Sequence, residues 1–492
     1  MSIAITRDTF TADDHARFAG RLAAQVAHLS RLCARPDFGD GPPSIGAELE
    51  LPLVGTDWRP RPCNLAVLKA LGDPRATVEI ARFNLELNLS PVLAAGQPFT
   101  ALGEEIDALI SRLGTVAAAE GARVVPIGIL PSVLESDLMH DAMTDLPRYR
   151  ALERAVTSMR DGRAHIRIQG EEPLALEYDG VMLEGANTSL QIHLRVPASR
   201  FADMYNAAQL ATVVAVAISG NSPVFLDHLL WDETRIAVFK QSVDARSANE
   251  LAWHRPARVA FGHGWVRRSA AELFADAVRL HQPIFPVCDE EHVDHPDDPT
   301  PRLAELRLHQ GTVWRWNRAI YDCHAGGHLR IEFRALPGGP TTPDMLANAA
   351  FLLGLTMGLA DEIDSLIHGL PFAYAEASFY RAARDGMNAV LLWPTAQGVS
   401  PQERSARELA SSLLPTVERG LTILGVDQEE RSRCLQLIAD RLMVGQTGAQ
   451  WQRAALHRLR RTLTRQDALG QLVAEYAARS DTQAPVNTWS PV

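Results

Sequence analysis

The sequence predicts an α+β protein built on an antiparallel sheet. Three observations carry that expectation. Four separated segments alternate polar and apolar residues with a period of two, the spacing of a strand with two unlike faces. The strand segments are not regularly interleaved with helices, which argues against a parallel, doubly wound sheet. Helical periodicity dominates residues 10–34 and the chain beyond residue 400.

Taken in order, Phe18, Leu22, Val26, Leu29 and Leu32 mark one apolar stripe behind the N-cap candidate Thr11. A Gly/Pro-rich break at 38–44 introduces a strand over 46–54, then a helix over 64–71 and a strand over 83–89. A long helix is expected over 99–120, a strand over 123–129 and a hairpin over 164–184 with its turn at 170–173. A strand over 188–196 leads into an apolar helix over 201–219. The segment 224–300 is mixed, and its acidic run Asp289–Asp298 reads as a solvated loop because its ligand-type residues lack fixed spacing. A strand over 328–336 precedes a helix over 343–368. There is no internal repeat and no low-complexity segment.

The 492 residues, 46% hydrophobic and 22% charged, suit a large globular enzyme core. The net charge of −11 is spread along the chain, which disfavours nucleic acid and anionic membranes as partners. The longest apolar stretches, around 210–219 and 349–360, read as buried helices too short to span a bilayer. Five scattered cysteines without a CxxC pair, and an N-terminus without an apolar h-region, predict reduced thiols and a cytoplasmic protein. There is no Walker A loop, no GxGxxG and no GxSxG.

The four alternating strands carry the chemistry. One face of 45–51 holds Gly46, Glu48 and Glu50; one face of 83–89 holds Asn84, Glu86 and Asn88. The polar face of 189–196 is Ser189, Gln191, His193 and Arg195, and that of 330–334 is Arg330, Glu332 and Arg334. A solvated face is usually filled with Lys, Thr and Ser, and these strands contain no lysine. Carboxylates, amides and an imidazole suit a hard divalent cation, and arginine forks match phosphate and carboxylate.

The same segments resemble the glutamate–cysteine ligase superfamily, in particular its second bacterial branch of carboxylate–amine ligases. IGAELEL is similar to that family's Gly-x-Glu-x-Glu strand, ARFNLELNLSP to its second acidic strand, and NTSLQIHLRVP to the strand that follows. LRIEFRALPGGPT resembles its Arg-x-Glu-x-Arg strand. MTDLPRYRAL, SGNSPVF and GQTGAQWQR match further elements in the right order, from about residue 44 to 453.

The resemblance implies a glutamine synthetase-like catalytic domain over 1–400, with helices outside a curved antiparallel sheet, and a helical extension over 401–492 packed on it. It implies ATP and Mg²⁺, small-molecule amino-acid substrates and a homo-oligomer as an allowed state. The implied reaction phosphorylates a carboxylate, foremost the γ-carboxylate of glutamate, and displaces the phosphate with an amine, foremost that of cysteine. A different acceptor, or a catalytically silent nucleotide-binding protein, is the alternative. Glu48, Glu50, Glu86 and Glu332 are the implied metal ligands, with Gln191 or His193 completing a shell. Arg330 and Arg334 are the implied anion clamps, with Arg148, Arg246 and Arg453 nearby. His193 fits either a ligand or a structural role. Glu79 is expected to be a surface carboxylate, with a further acidic ligand as the alternative, and Trp314 and Trp316 to be packing residues, with one of them stacking on adenine as the alternative. No segment matches a cysteine-substrate site.

Overall fold

Period-two alternation commits one face of a strand to the core, and four such strands find each other in a single mixed-length antiparallel sheet. The computed structural model describes residues 3–295, 297–394 and 400–490. Its main strands are β1 (Ser44–Val54), β2 (Ala76–Val78), β3 (Asn84–Asn88), β4 (Leu190–Val196), β5 (Asn317–Asp322) and β6 (His328–Phe333). They lie in the order β5-β6-β4-β1-β3-β2, and two-residue strands at 92–93 and 123–124 also pair with β1. Every pairing in this sheet is antiparallel. Ile45, Leu49, Leu51, Leu85, Leu87, Ile192, Leu194, Ile331 and Phe333 fill its apolar side, all buried.

The helices used below are α1 (Ala12–Cys33), α2 (Pro98–Ala119), α3 (Pro147–Arg160), α4 (Phe201–Ser219), α5 (Thr342–Leu359), α6 (Ala406–Ile423), α7 (Gln428–Val444), α8 (Gly448–Leu459) and α9 (Arg465–Ser480). Thr11 caps α1 through a capping box with Asp14. Helices α2, α4 and α5 pack on the sheet. Almost every residue of α4 and α5 is buried. The segment Ala198–Ser219 is long and apolar enough to cross a membrane, yet 94% of its most apolar 18-residue window is buried inside the protein. It is a core helix by packing, not by shortness.

Helices α6 and α7 extend the main core. Helices α8 and α9 form a second apolar cluster with Val54, Val125, Ile127 and Val224. Gly354 and Gly358 of α5 face Gly420 of α6, and a Cβ on Gly420 would collide with the Gly354 carbonyl oxygen. The three glycines therefore set how closely these helices approach.

Several expected elements change. The strand over 123–129 is continuous only at 123–124, with an isolated bridge from Ile129 to Asn187, because Pro126 has no N–H to give the ladder. The hairpin is 164–168 with 174–178, and residues 182–186 form a short 3₁₀ turn instead of more strand. The helix over 343–368 breaks after Leu359, where the buried stretch runs out into exposed Asp361 and Glu362. Strands β2 and β5 were not expected. The acidic run, whose Pro296 lies outside the described residues, is an exposed to half-buried loop as expected. Asp294 accepts from the backbone N–H groups of Arg302 and Leu303, at 2.6 and 2.9 Å.

Candidate active site

Antiparallel register places directly opposed residues on one face of the sheet. Glu48 opposes Gln191 and Asn88, Glu50 opposes Glu86, and His193 opposes Glu332, which in turn opposes Arg318 of β5. Arg330 opposes Arg195. The four polar faces therefore merge into one. That face is not wet: Gln191 is 2% exposed, His193 7% and Glu332 1%.

Two ligand sets stand side by side on it. In the first, the ligand atoms of Glu48, His193 and Glu332 lie within 4.8 Å of one another. His193 Nε2 is 3.0 Å from Glu48 Oε1 and 3.8 Å from Glu332 Oε1. In the second, Glu50, Glu79 and Glu86 satisfy the same distance. Glu50 accepts from Gln191 Nε2 at 2.9 Å and from the Ser189 backbone N–H at 2.8 Å. Glu86 accepts from Asn88 Nδ2 at 2.9 Å and from the Thr77 hydroxyl at 3.2 Å.

Their electrostatics differ. Burial works against ionised Glu332, yet Arg318, Arg334 and His193 hold its carboxyl well below the usual range. Arg318 Nη2 donates to Glu332 Oε1 at 2.9 Å, and its Nε donates to the other oxygen. Burial also opposes ionised Glu48, and His193 and Arg334 overcome it. In the second set nothing does so. Burial, with Glu48 and Glu50 alongside, pushes Glu86 up to about 8. Glu79 is raised well above the usual carboxylate range by burial and by Glu86 and Glu50, and Glu50 is raised by burial despite Arg334 and Arg235. Clustered carboxylates that resist ionisation together are relieved by a cation. Oxygen ligands of this kind fit Mg²⁺. In the first set, the buried Nδ1 of His193 has no hydrogen-bond partner among the described residues.

Arginines surround these carboxylates. Arg334 donates to Gln191 Oε1 and lies 3.4 Å from Glu332. Its charge is held, against burial, by Glu332, Glu50 and Glu48. Arg330 Nη1 donates to Asp322 Oδ2 at 2.7 Å, leaving its buried Nε without a partner among the described residues.

Two chambers open beside this face. One, of about 330 Å³, is lined by Glu79, Glu86, Glu184, Arg148, Phe239 and Trp314, among others. The other, of about 400 Å³, has Arg307, Arg318, Phe274, Ile320 and Tyr321 in its wall, with Ile3–Ile5 beside them. Arg148, Phe285, Gly311 and Thr312 border both.

The structure thus brings together Glu48, Glu50, Glu86, Gln191, His193, Arg330, Glu332 and Arg334, with Arg148 at the rim. It does not bring Arg246 and Arg453 to them. Arg246 pairs with Asp244 at 2.6 Å and lines a third cavity with Arg255 and Arg258. Arg453 pairs with Asp232 at 3.0 Å and donates to the Leu230 carbonyl. Each guanidinium is already satisfied where it stands. Glu79, expected at the surface, is in the second ligand set. Arg318, Arg235 and Glu184 were missed. Glu184 sits on a one-turn helix with no period to expose it. Trp316 packs against Phe239 and Phe379 as expected, and Trp314 packs against Phe239 as well, in the wall of the acidic chamber.

The match that decides the family is extensive. Glutamate–cysteine ligase family 2 matches residues 44–477. The chain belongs to this family. The matched span covers the whole sheet and most of the C-terminal helices, so the enzyme is an ATP-dependent carboxylate–amine ligase of the glutamate–cysteine ligase type. Its fold is that of the glutamate–cysteine ligase of Francisella tularensis solved in complex with AMP. The two share 14% identity over 90% of each chain, with a TM-score of 0.56. A bifunctional glutathione synthetase from Pasteurella multocida is also similar, at 12% identity over 95% of this chain and 55% of that one, with a TM-score of 0.48. Comparison with curated proteins gives no match.

Proposed function

We propose that this ligase couples the γ-carboxylate of glutamate to the amine of an amino acid through an acyl phosphate made from Mg²⁺-bound ATP. The observation that carries the reading is the merged sheet face, where two carboxylate sets stand beside Arg318, Arg330 and Arg334. Glu48, His193 and Glu332 would hold one Mg²⁺ and Glu50, Glu79 and Glu86 a second. Bound there, the cations neutralise phosphate charge, which is most of what phosphoryl transfer asks of a protein.

A carboxylate oxygen of glutamate attacks the γ-phosphorus, and the bond to the ADP oxygen breaks. Arg330 and Arg334 would hold the phosphoryl oxygens as charge shifts between them. The amine nitrogen then attacks the acyl carbon, and phosphate leaves with the bonding pair. The apolar chamber beside Arg318 has no carboxylate among the described residues that line it and suits a nucleotide base with its phosphates toward the arginines. The likeness to a ligase solved with AMP supports that assignment.

Residues 1–400 act in this reading as the catalytic unit, with 401–492 as a helical extension. The five free cysteines accord with a cytoplasmic enzyme acting on small molecules, and a homo-oligomer is compatible with it. The test is ADP release by purified protein with ATP, Mg²⁺, glutamate and each amino acid in turn, with the amide product identified by mass. Turnover with glutamate and an amine supports the reading. Bound ATP with no turnover for any acceptor would replace it with a silent, regulatory role.

A further inference from the structure

The carboxylate Glu184 is left over once the two ligand sets are assigned. It sits on the 182–186 turn, lines the acidic chamber, and makes no hydrogen bond or ion pair among the described residues. The same chamber carries an opposite charge on a different element. Arg148, in the first turn of α3, lies 5.5 Å over the ring of Tyr149 and makes no ion pair among the described residues. Leu152, Phe239, Val243, Phe285 and Trp314 form an apolar stretch of the wall, beside the polar Thr77, Asn88 and Thr312. Glu79 and Glu86, also in the wall, join the chamber directly to the second ligand set. A zwitterion with a large apolar side chain matches all three features. Its ammonium meets Glu184, its carboxylate meets Arg148, and its side chain covers the aromatic wall. Cysteine would satisfy the two charges and leave most of that wall in contact with water.

We propose that the acidic chamber is the acceptor site, that it selects an α-amino acid with a bulky apolar side chain over cysteine, and that Glu184 binds the acceptor ammonium and takes its proton. This rests on the acyl-phosphate reading above. Proton loss to Glu184 frees the nitrogen lone pair. The nitrogen forms a bond to the acyl carbon, and the carbon–oxygen bond to phosphate breaks with its electron pair going to phosphate. The remaining extra proton on nitrogen goes to the departing phosphate, and Glu184 returns its proton to water.

The test uses the full chain with ATP, Mg²⁺ and glutamate, and compares cysteine, alanine, leucine, phenylalanine and hydroxylamine as acceptors. Hydroxylamine reaches the reaction as a small neutral nucleophile, so hydroxamate formation reports the acyl phosphate without needing the acceptor contacts. Leucine or phenylalanine is expected to exceed cysteine and alanine in kcat/KM by about tenfold or more. Glu184→Gln is expected to lower kcat/KM for amino-acid acceptors by about 100-fold or more. Its loss with hydroxylamine should be at least about tenfold smaller than that, with an unchanged thermal midpoint showing that the variant folds. Preference for cysteine or alanine, with hydroxamate still formed, overturns the acceptor assignment alone. Equal losses with all nucleophiles, joined to a raised KM for ATP, would move Glu184 to the phosphate and metal groups and overturn its assigned role. No hydroxamate from the wild-type protein removes the acyl phosphate, and this assignment falls with it.

Discussion

Glu50 and Glu86 face each other directly across β1 and β3, two carboxylates in register on one side of an antiparallel pair. Like charges so placed destabilise a sheet. The arrangement therefore costs stability unless a proton or a cation sits between them, and Glu79 adds a third carboxylate within the same 4.8 Å.

The pH dependence follows. Glu86 is raised in the folded chain, by burial and by its neighbours, to about 8 from an unfolded value of 4.5. A raised carboxyl stabilises the fold fully below its unfolded pKa, and that contribution is lost as pH rises through the folded one. Without divalent cation, the thermal midpoint should fall between about pH 5 and pH 8. Saturating Mg²⁺ should raise it by a few degrees at pH 8 and scarcely at pH 5, since the cation competes with protons. Scanning calorimetry with Mg²⁺ and with EDTA measures both; an Mg²⁺ effect independent of pH would contradict the account.

Glu332 is buried between Arg318, Arg334 and His193. Glu332→Gln should lower kcat by about 100-fold or more, by the scale of losing one preorganised charge group. It should also lower stability, because two buried guanidinium groups lose a partner. Circular dichroism and turnover together check this. Wild-type activity in the variant would take Glu332 out of the site.

Arg453 gives the opposite expectation. It binds Asp232, which is 5% exposed, and reaches no residue of the sheet face. Arg453→Ala should cost about 1–3 kcal/mol of stability by leaving that acid without its cation. KM for ATP in the variant should stay within about threefold of wild type, a margin under 1 kcal/mol. A tenfold rise in KM with an unchanged melting point would return Arg453 to the nucleotide.

Gly420 tests how firmly the C-terminal helices are joined to the rest. A methyl group there meets the backbone of Gly354 and Gly358, which has nowhere to go. Gly420→Ala should destabilise the whole protein by about 1–3 kcal/mol or more in one cooperative transition. Loss confined to an early, partial transition would show that α6 unfolds separately from the sheet.

What the sequence made legible was periodic. Glu48, Glu50, Glu86, Gln191, His193, Glu332 and Arg334 each sit at alternate positions opposite apolar residues, so their shared face could be read before their contacts were known. Strand β5 hid because its faces are both mixed: Asn317, Ala319 and Tyr321 against Arg318, Ile320 and Asp322. Arg318 was hidden with it. Glu79 lies just past the three-residue β2, too short to show a pattern. Arg246 and Arg453 look in sequence like any other clamp arginine. Asp244, two residues before Arg246, was a local sign that its charge was already matched, whereas Asp232 is 221 residues from Arg453 and gave none.

The most direct test of the central claim follows the oxygen atoms. Glutamate labelled with ¹⁸O in its γ-carboxylate would be turned over with ATP, Mg²⁺ and the best acceptor, and the released phosphate weighed. One labelled oxygen in each phosphate is the predicted result, because the carboxylate oxygen that attacks phosphorus leaves with it. Amide product accompanied by unlabelled phosphate would contradict an acyl phosphate formed on this sheet.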